Sequence, residues 1–134
     1  MYLLDTNVVS ELRKKRCDPK VSAWAFENSG ENMFLSVATF YEIRRGICAQ
    51  ERRNPLFAAE LMQWINTLRR QFANRILPVS EDVAEEWGKI SFLTKNTSTD
   101  NLLAATAKIH NLTVATRNIK HFKMTGVACV NPWE

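Results

Sequence analysis

Asp5, Glu42 and Asp100 are the residues whose type and place could do chemistry. Asp5 closes the apolar run Met1-Tyr2-Leu3-Leu4 and is followed at once by Thr6-Asn7. A short buried strand that ends in a carboxylate and two hydrogen-bonding side chains builds a site, because open α/β sheets bind ligands outside the carboxyl ends of their strands. An ionised Asp is costly to bury in apolar surroundings and needs a cation, donors or water. Glu42 stands close behind a second apolar run, Met33-Phe34-Leu35-Ser36-Val37, and Asp100 opens a helix rich in alanine. Three carboxylates gathered at one sheet edge would repel one another and raise their own pKa values. A divalent cation removes that penalty, and hard oxygen ligands select Mg²⁺ or Mn²⁺ over zinc. Such a site can activate water and stabilise charge on a phosphate, a pattern that points to a metal-dependent nuclease.

Each acid also has a plainer role. Asp5 is a good N-cap for the helix that follows it, although Thr6 could cap equally well and free it. Glu42 could be a surface residue paired with Arg45 three positions on. Asp100 could cap its helix, a task for which Ser98 and Thr99 also stand ready.

The elements that must position these acids alternate between strand and helix. A first strand is expected over residues 1–4 and a short helix over 7–13. Pro19 suits the first turn of the next helix, with Val21, Trp24 and Ala25 at helical spacing. After the turn Ser29-Gly30-Glu31-Asn32 come the strand 33–37 and a helix over 38–51, with Phe40, Ile43 and Ile47 inward. The clearest helix follows Asn54-Pro55, where Phe57, Leu61, Trp64, Ile65, Leu68 and Phe72 recur at three- and four-residue steps. Trp64 is assigned to the core on that pattern. A short strand at 76–79 leads into a helix opened by Ser80-Glu81-Asp82, with Val83, Trp87 and Ile90 inward. After the polar break 96–99, the helix 101–110 is rich in small residues and is expected to pack closely on a sheet. Strands at 113–116 and 127–130 complete the chain. Strands separated by helices imply parallel pairing and right-handed crossovers. The expected architecture is α/β: one domain over 1–134, with a parallel sheet of four or five strands and helices on both faces, three layers in all.

The chain's 134 residues can bury a sizeable core, and a net charge of +4 favours a polyanionic partner, nucleic acid above all. The cysteines Cys17, Cys48 and Cys129 are odd in number and contain no C-x-x-C, so neither a disulfide framework nor a thiolate zinc site is expected. A strand at the first residues leaves no room for a signal peptide, and no apolar stretch approaches the ~20 residues of a membrane span. A cytoplasmic protein with reduced thiols and no membrane partner is expected.

Leu4-Asp5-Thr6-Asn7-Val8-Val9-Ser10-Glu11 resembles the opening motif of PIN-domain proteins, particularly the VapC/FitB-like toxins. Leu35 to Gly46 resembles their second motif, Asp100 to Ala107 the third, and Thr113 to Asn118 the fourth. The close, Val130-Asn131-Pro132-Trp133-Glu134, is similar to the FitB-like branch, so the resemblance runs over essentially the whole chain. It implies a PIN fold and an Mg²⁺- or Mn²⁺-dependent endoribonuclease that acts as the toxin of a type II toxin–antitoxin module. It further implies a homodimer and a cognate antitoxin that neutralises it. Asp5, Glu42 and Asp100 would be the catalytic, metal-holding acids, and Thr6, Ser36, Thr116 and Asn118 the polar residues around them. Many members carry a fourth acid where this chain has Asn118, so a second metal ion would be held weakly. His121 falls where many relatives carry another acid; an exposed role is expected for it, with a phosphate contact as the alternative. The segment Lys95 to Thr99 is shorter than in relatives, which could shift Asp100.

Arg44 and Arg45, near Glu42, are candidates for RNA phosphate contacts, set against the simpler role of a solvated helix face. Residual apolar surface on the helices would suit a second copy or an antitoxin helix. Two rival functions stay open. One is a PIN-fold module that binds RNA or antitoxin without cleaving. The other is a phosphatase with Asp5 as nucleophile, a chemistry that usually wants a second acid where Asn7 stands.

Overall fold

The computed structural model describes all residues, Met1–Glu134. Five strands, β1 (Tyr2–Leu4), β2 (Met33–Ser36), β3 (Ile76–Leu77), β4 (Thr113–Ala115) and β5 (Cys129–Val130), form one sheet in the order β3-β2-β1-β4-β5. Every pairing is parallel, with Leu3 opposite Phe34 and Val114, and Leu4 opposite Ala115. The helices are α1 (Thr6–Arg13), α2 (Pro19–Glu27), α3 (Val37–Arg53), α4 (Pro55–Gln71), α5 (Glu81–Thr94) and α6 (Thr99–His110).

The three expected layers follow from period-two alternation along the strands. Leu3, Phe34 and Val114 face a core built with α5 and α6 through Val83, Ile90, Leu103, Ala104 and Ala107. Leu4, Leu35 and Ala115 face the opposite core, built with α1, α3 and α4 through Val8, Ile43, Ile47, Ile65 and Leu68. Strands covered on both faces must be apolar throughout, which is why β1 and β2 read as continuous apolar runs. In α6 the residues Leu102 to Ala107 are all buried, and small side chains allow that helix to lie close to its neighbours.

Helix ends follow local chemistry. Asp18 caps α2 by accepting from the Lys20 N–H at 2.9 Å, with Pro19 in the first turn. Asn54 caps α4 through the Phe57 N–H at 3.2 Å, and Ser80 caps α5 through the Val83 N–H at 3.2 Å. Asn111 closes α6 in the left-handed conformation, φ 58°, which Asn tolerates better than most residues.

Three differences from the sequence reading have physical causes. β3 stops at Leu77 because Pro78 has no N–H to give the ladder. β5 begins only at Cys129, since the Val127 N–H bonds the Thr125 hydroxyl at 3.3 Å instead. Ile119–Thr125 forms a 3-10 helix for which the sequence offers no periodic signal: Phe122 is its one fully buried apolar anchor. Trp64 packs against the core as expected but is only half-buried, and the Arg13 guanidinium lies 5.5 Å from its ring centroid.

Candidate active site

The chain builds outward from β1 through β2 to β3, then returns through α5 and α6 to place β4 on the other side of β1. The connections leaving β1 and β4 therefore diverge, and the crevice at their carboxyl ends is where doubly wound sheets hold ligands. Asp5 and Thr116 are the first residues beyond those two strands.

Asp5 is buried, with 6 % of its surface exposed. One carboxylate oxygen accepts the Thr6 N–H at 2.7 Å; the other accepts the Thr116 hydroxyl at 2.8 Å and the Asn7 amide at 3.3 Å. Asp5 is thus itself the cap of α1, and the expectation that Thr6 could take over that role does not hold. Thr6 is already helical, so its hydroxyl points back across the crevice, donating to Glu42 Oε1 at 3.1 Å with Thr39 Oγ1 at 3.2 Å. Capping leaves the second Asp5 oxygen facing Thr116, so capping and site-building coexist in one side chain.

Glu42 is half-buried in the second turn of α3 and forms no ion pair with Arg45. Asp100 lies in the first turn of α6, while Ser98 occupies the cap position. Its Oδ2 is 2.9 Å from Nδ1 of His121, which projects from the 3-10 helix. The short segment before Asp100 is closed by Asn101, 2 % exposed, whose amide donates to Thr94 Oγ1 at 2.8 Å and to the Asn96 carbonyl. This tie fixes the segment that leads into Asp100.

The electrostatics place the three acids in one field. Burial pushes the Asp5 carboxyl above its ordinary range; the Thr116 hydroxyl opposes the shift and the charge of Asp100 adds to it. Glu42 is likewise pushed up by burial, against the Thr6 hydroxyl, with Asp5 and Asp100 both adding repulsion. The crevice therefore holds more negative charge than it can comfortably keep without a counter-ion. The acids do not form a closed ligand cage, because no three acidic, histidine or cysteine side chains stand together at direct coordination spacing.

The remaining expected residues divide. Thr116, fully buried, supports Asp5 and accepts the Asn118 backbone N–H at 2.9 Å. Asn118 is exposed at the rim and contributes that backbone group. Ser36 makes no hydrogen bond to an acid. Its hydroxyl instead caps α3 through the Ala38 N–H at 3.0 Å, because it ends β2 where α3 starts. It positions Glu42 only through the helix. Arg44 turns toward α4, with a nitrogen 2.9 Å from Met62 Sδ, and Arg45 is exposed without a carboxylate partner. Sequence reasoning missed Thr39 and Asn101; His121 is exposed as expected, and its contact with Asp100 is an addition to that reading. The polar Thr39 inside an apolar helix face is the signal that could have found the first of these.

Comparison with known proteins agrees with this fold. Toxin FitB of Neisseria gonorrhoeae is 38% identical over 140 residues, covering 99% of each chain. VapC ribonuclease Y4jK of Sinorhizobium fredii is 33% identical, covering 100% of this chain and 99% of its own. The crystal structure of FitAcB from Neisseria gonorrhoeae superposes with a TM-score of 0.83 at 36% identity, covering 100% of this chain and 99% of that one. The PIN domain pattern matches residues 2–127, and the chain belongs to the PIN domain family.

Proposed function

We propose that this protein is a divalent-cation-dependent endoribonuclease, the toxin of a type II toxin–antitoxin pair acting in the cytoplasm. The observation that supports the reading most is that Thr6 bridges Asp5 and Glu42 by hydrogen bonds, while burial and the charge of Asp100 push both carboxyls up. The names of its relatives, a toxin and a ribonuclease, support the same reading.

The donor set fits a hard cation. All three candidate ligands are carboxylates, the crevice carries surplus negative charge, and the open spacing suits Mg²⁺ or Mn²⁺, which keep several waters. Asp5, Glu42 and Asp100 would hold it, and when bound it would polarise the scissile phosphate and lower the pKa of water. The protein's own part is orientation. The Thr116 hydroxyl and the first N–H of α1 hold the Asp5 carboxylate in one rotamer, the Thr6 hydroxyl aims Glu42, and His121 holds Asp100. Pre-set ligands spare the reaction the cost of ordering them.

The fully formed apolar cleft between α1 and α4, lined by Leu4, Val9, Leu12, Trp64 and Phe72, supports a protein partner such as an antitoxin segment. Exposed Tyr41, Phe92 and Leu93 support a homodimer. A binding-only role is favoured by one observation, the neutral and exposed Asn118 at the rim. Incubating antitoxin-free protein with cellular RNA and Mg²⁺ or Mn²⁺ decides between them. Discrete cleavage lost in EDTA and in Asp5→Asn is expected of the nuclease; intact RNA with well-folded protein would favour the binding module.

A further inference from the structure

Beside the acids lies a second, chemically different cleft of about 360 Å³, lined by Arg117, Asn118, Lys120, His121, Asn131 and Glu134 among others. It shares two members with the acid site. His121 turns Nδ1 to Asp100, and Asn118 gives its backbone N–H to the same Thr116 hydroxyl that binds Asp5. A chain lying across the carboxylates would therefore pass directly into it.

Its charge is opposite in sign to that of the acid crevice. Arg117 and Lys120 are both exposed, and neither has a carboxylate within ion-pair distance. Arg117 is held in place, with its guanidinium 5.1 Å from the Trp133 ring centroid and its backbone N–H on Asn7 Oδ1 at 3.4 Å. The cleft's one acid, Glu134, accepts from the Asn131 amide at 3.2 Å. The Asn118 carboxamide has no partner in the protein, so it too is free to donate.

We infer that the Arg117–Lys120–His121 cleft is a phosphate subsite that holds the phosphodiester next to the scissile one on a single-stranded RNA. This rests on the ribonuclease reading and adds where the substrate backbone runs. Two unpaired cations beside a trio of carboxylates separate the tasks: the cations bind backbone charge, and the acids keep theirs for the reacting phosphate. Contacts of this kind position RNA without reading its sequence. Arg117, planar and pre-stacked, suits two phosphate oxygens at once, whereas Lys120 acts as a mobile point charge.

The test is fluorescence anisotropy with labelled single-stranded oligo-U, oligo-A and a mixed-sequence RNA, in EDTA so that no cleavage intervenes. The whole protein is compared with Lys120→Ala, Arg117→Gln, and Arg53→Ala as control. Arg53 ends α3, a helix that starts at the carboxyl edge of the sheet and runs away from it for 17 residues. Lys120 has no side-chain partner to lose, so its variant should fold as the parent does; circular dichroism verifies this for Arg117→Gln. Lys120→Ala is expected to weaken all three RNAs ~3–10-fold and to flatten the slope of log affinity against log salt by ~0.7, with Arg53→Ala unchanged. Equal binding by Lys120→Ala and the parent would overturn the subsite while leaving the ribonuclease reading intact. A loss confined to one base composition would overturn the phosphate assignment. A parent protein that binds none of the RNAs would overturn the subsite, and the cleavage assay with Mg²⁺ or Mn²⁺ judges the ribonuclease reading separately.

Discussion

Asp5 and Asp100 stand on opposite walls of one crevice and are held in contrasting ways. Asp5 is buried and receives three donors, two from the next two residues in sequence and one from Thr116, 111 positions away. Asp100 is partly open, and its one side-chain partner, His121, is itself 58 % exposed. The first wall is an extension of the sheet, rigid because β1 and β4 pair beneath it. The second wall is assembled from the start of α6 and a 3-10 helix; both elements are anchored by buried residues, but the two side chains they present to the crevice, Asp100 and His121, are open to solvent. A crevice with one fixed wall and one adaptable wall can hold a cation in register and still admit a bulky polymer. The fixed wall should govern catalysis, and the adaptable wall should tune it.

Substitution on the fixed wall should have the largest effect. Asp5→Asn keeps a capping oxygen but removes the charge, and cleavage should fall by ~10³-fold or more, the loss of about 4 kcal/mol of charge stabilisation. Stability should move the other way. A carboxyl pushed above its ordinary pKa binds its proton more tightly in the folded chain than in the unfolded one. Stability contributed by Asp5 therefore falls as pH rises from about 4 through the raised pKa, and the penalty is fully present above it. Asp5→Asn should melt at a higher temperature than the parent at pH 7.5, and the gap should close as pH is lowered toward 4. A melting temperature that is unchanged or lower at neutral pH would contradict a burial penalty on the Asp5 charge.

Thr116→Val comes next. It preserves shape while removing a buried hydroxyl that both donates to Asp5 and accepts from Asn118. Thermal or urea unfolding should register a loss of ~1–3 kcal/mol, and cleavage assays a ~10–100-fold fall, the usual cost of losing a ligand's orienting partner. On the adaptable wall, His121→Ala should cost less, about 10-fold in cleavage, because Asp100 can be re-oriented by water. Stability should be unchanged, within about 0.5 kcal/mol, as expected for an exposed side chain. A His121 effect larger than that of Thr116 would reverse the ranking of the two walls. Arg45→Ala should be the mildest, with less than about 3-fold change in RNA affinity, since a lone solvated Arg contributes little. A larger loss would make Arg45 part of the RNA path.

The same contrast explains what the sequence disclosed. Asp5 was legible because a strand ending in Asp-Thr-Asn leaves a three-residue signature, and the layered fold was legible because both-face burial writes continuous apolar runs into β1 and β2. Asp100 was legible only as the start of a helix, where capping and ligand roles share one residue type. The partner that distinguishes them, His121, lies 21 positions away in a segment without periodicity. Ser36 misled for the converse reason: a Ser at a strand end can face a site or cap the next helix, and only the backbone turn decides. The closing of the short 95–99 connection by Asn101 depends on a buried amide reaching back across a turn, a contact that no local pattern announces.

The claim that Asp5, Glu42 and Asp100 form one cation site is tested most directly by calorimetric titration of Mn²⁺ into antitoxin-free protein, with Asp5→Asn and Glu42→Gln titrated alongside. One shared site predicts saturable uptake by the parent protein and loss of that uptake in each variant. Uptake that survives both substitutions, or a folded parent protein that takes up no Mn²⁺, would contradict it.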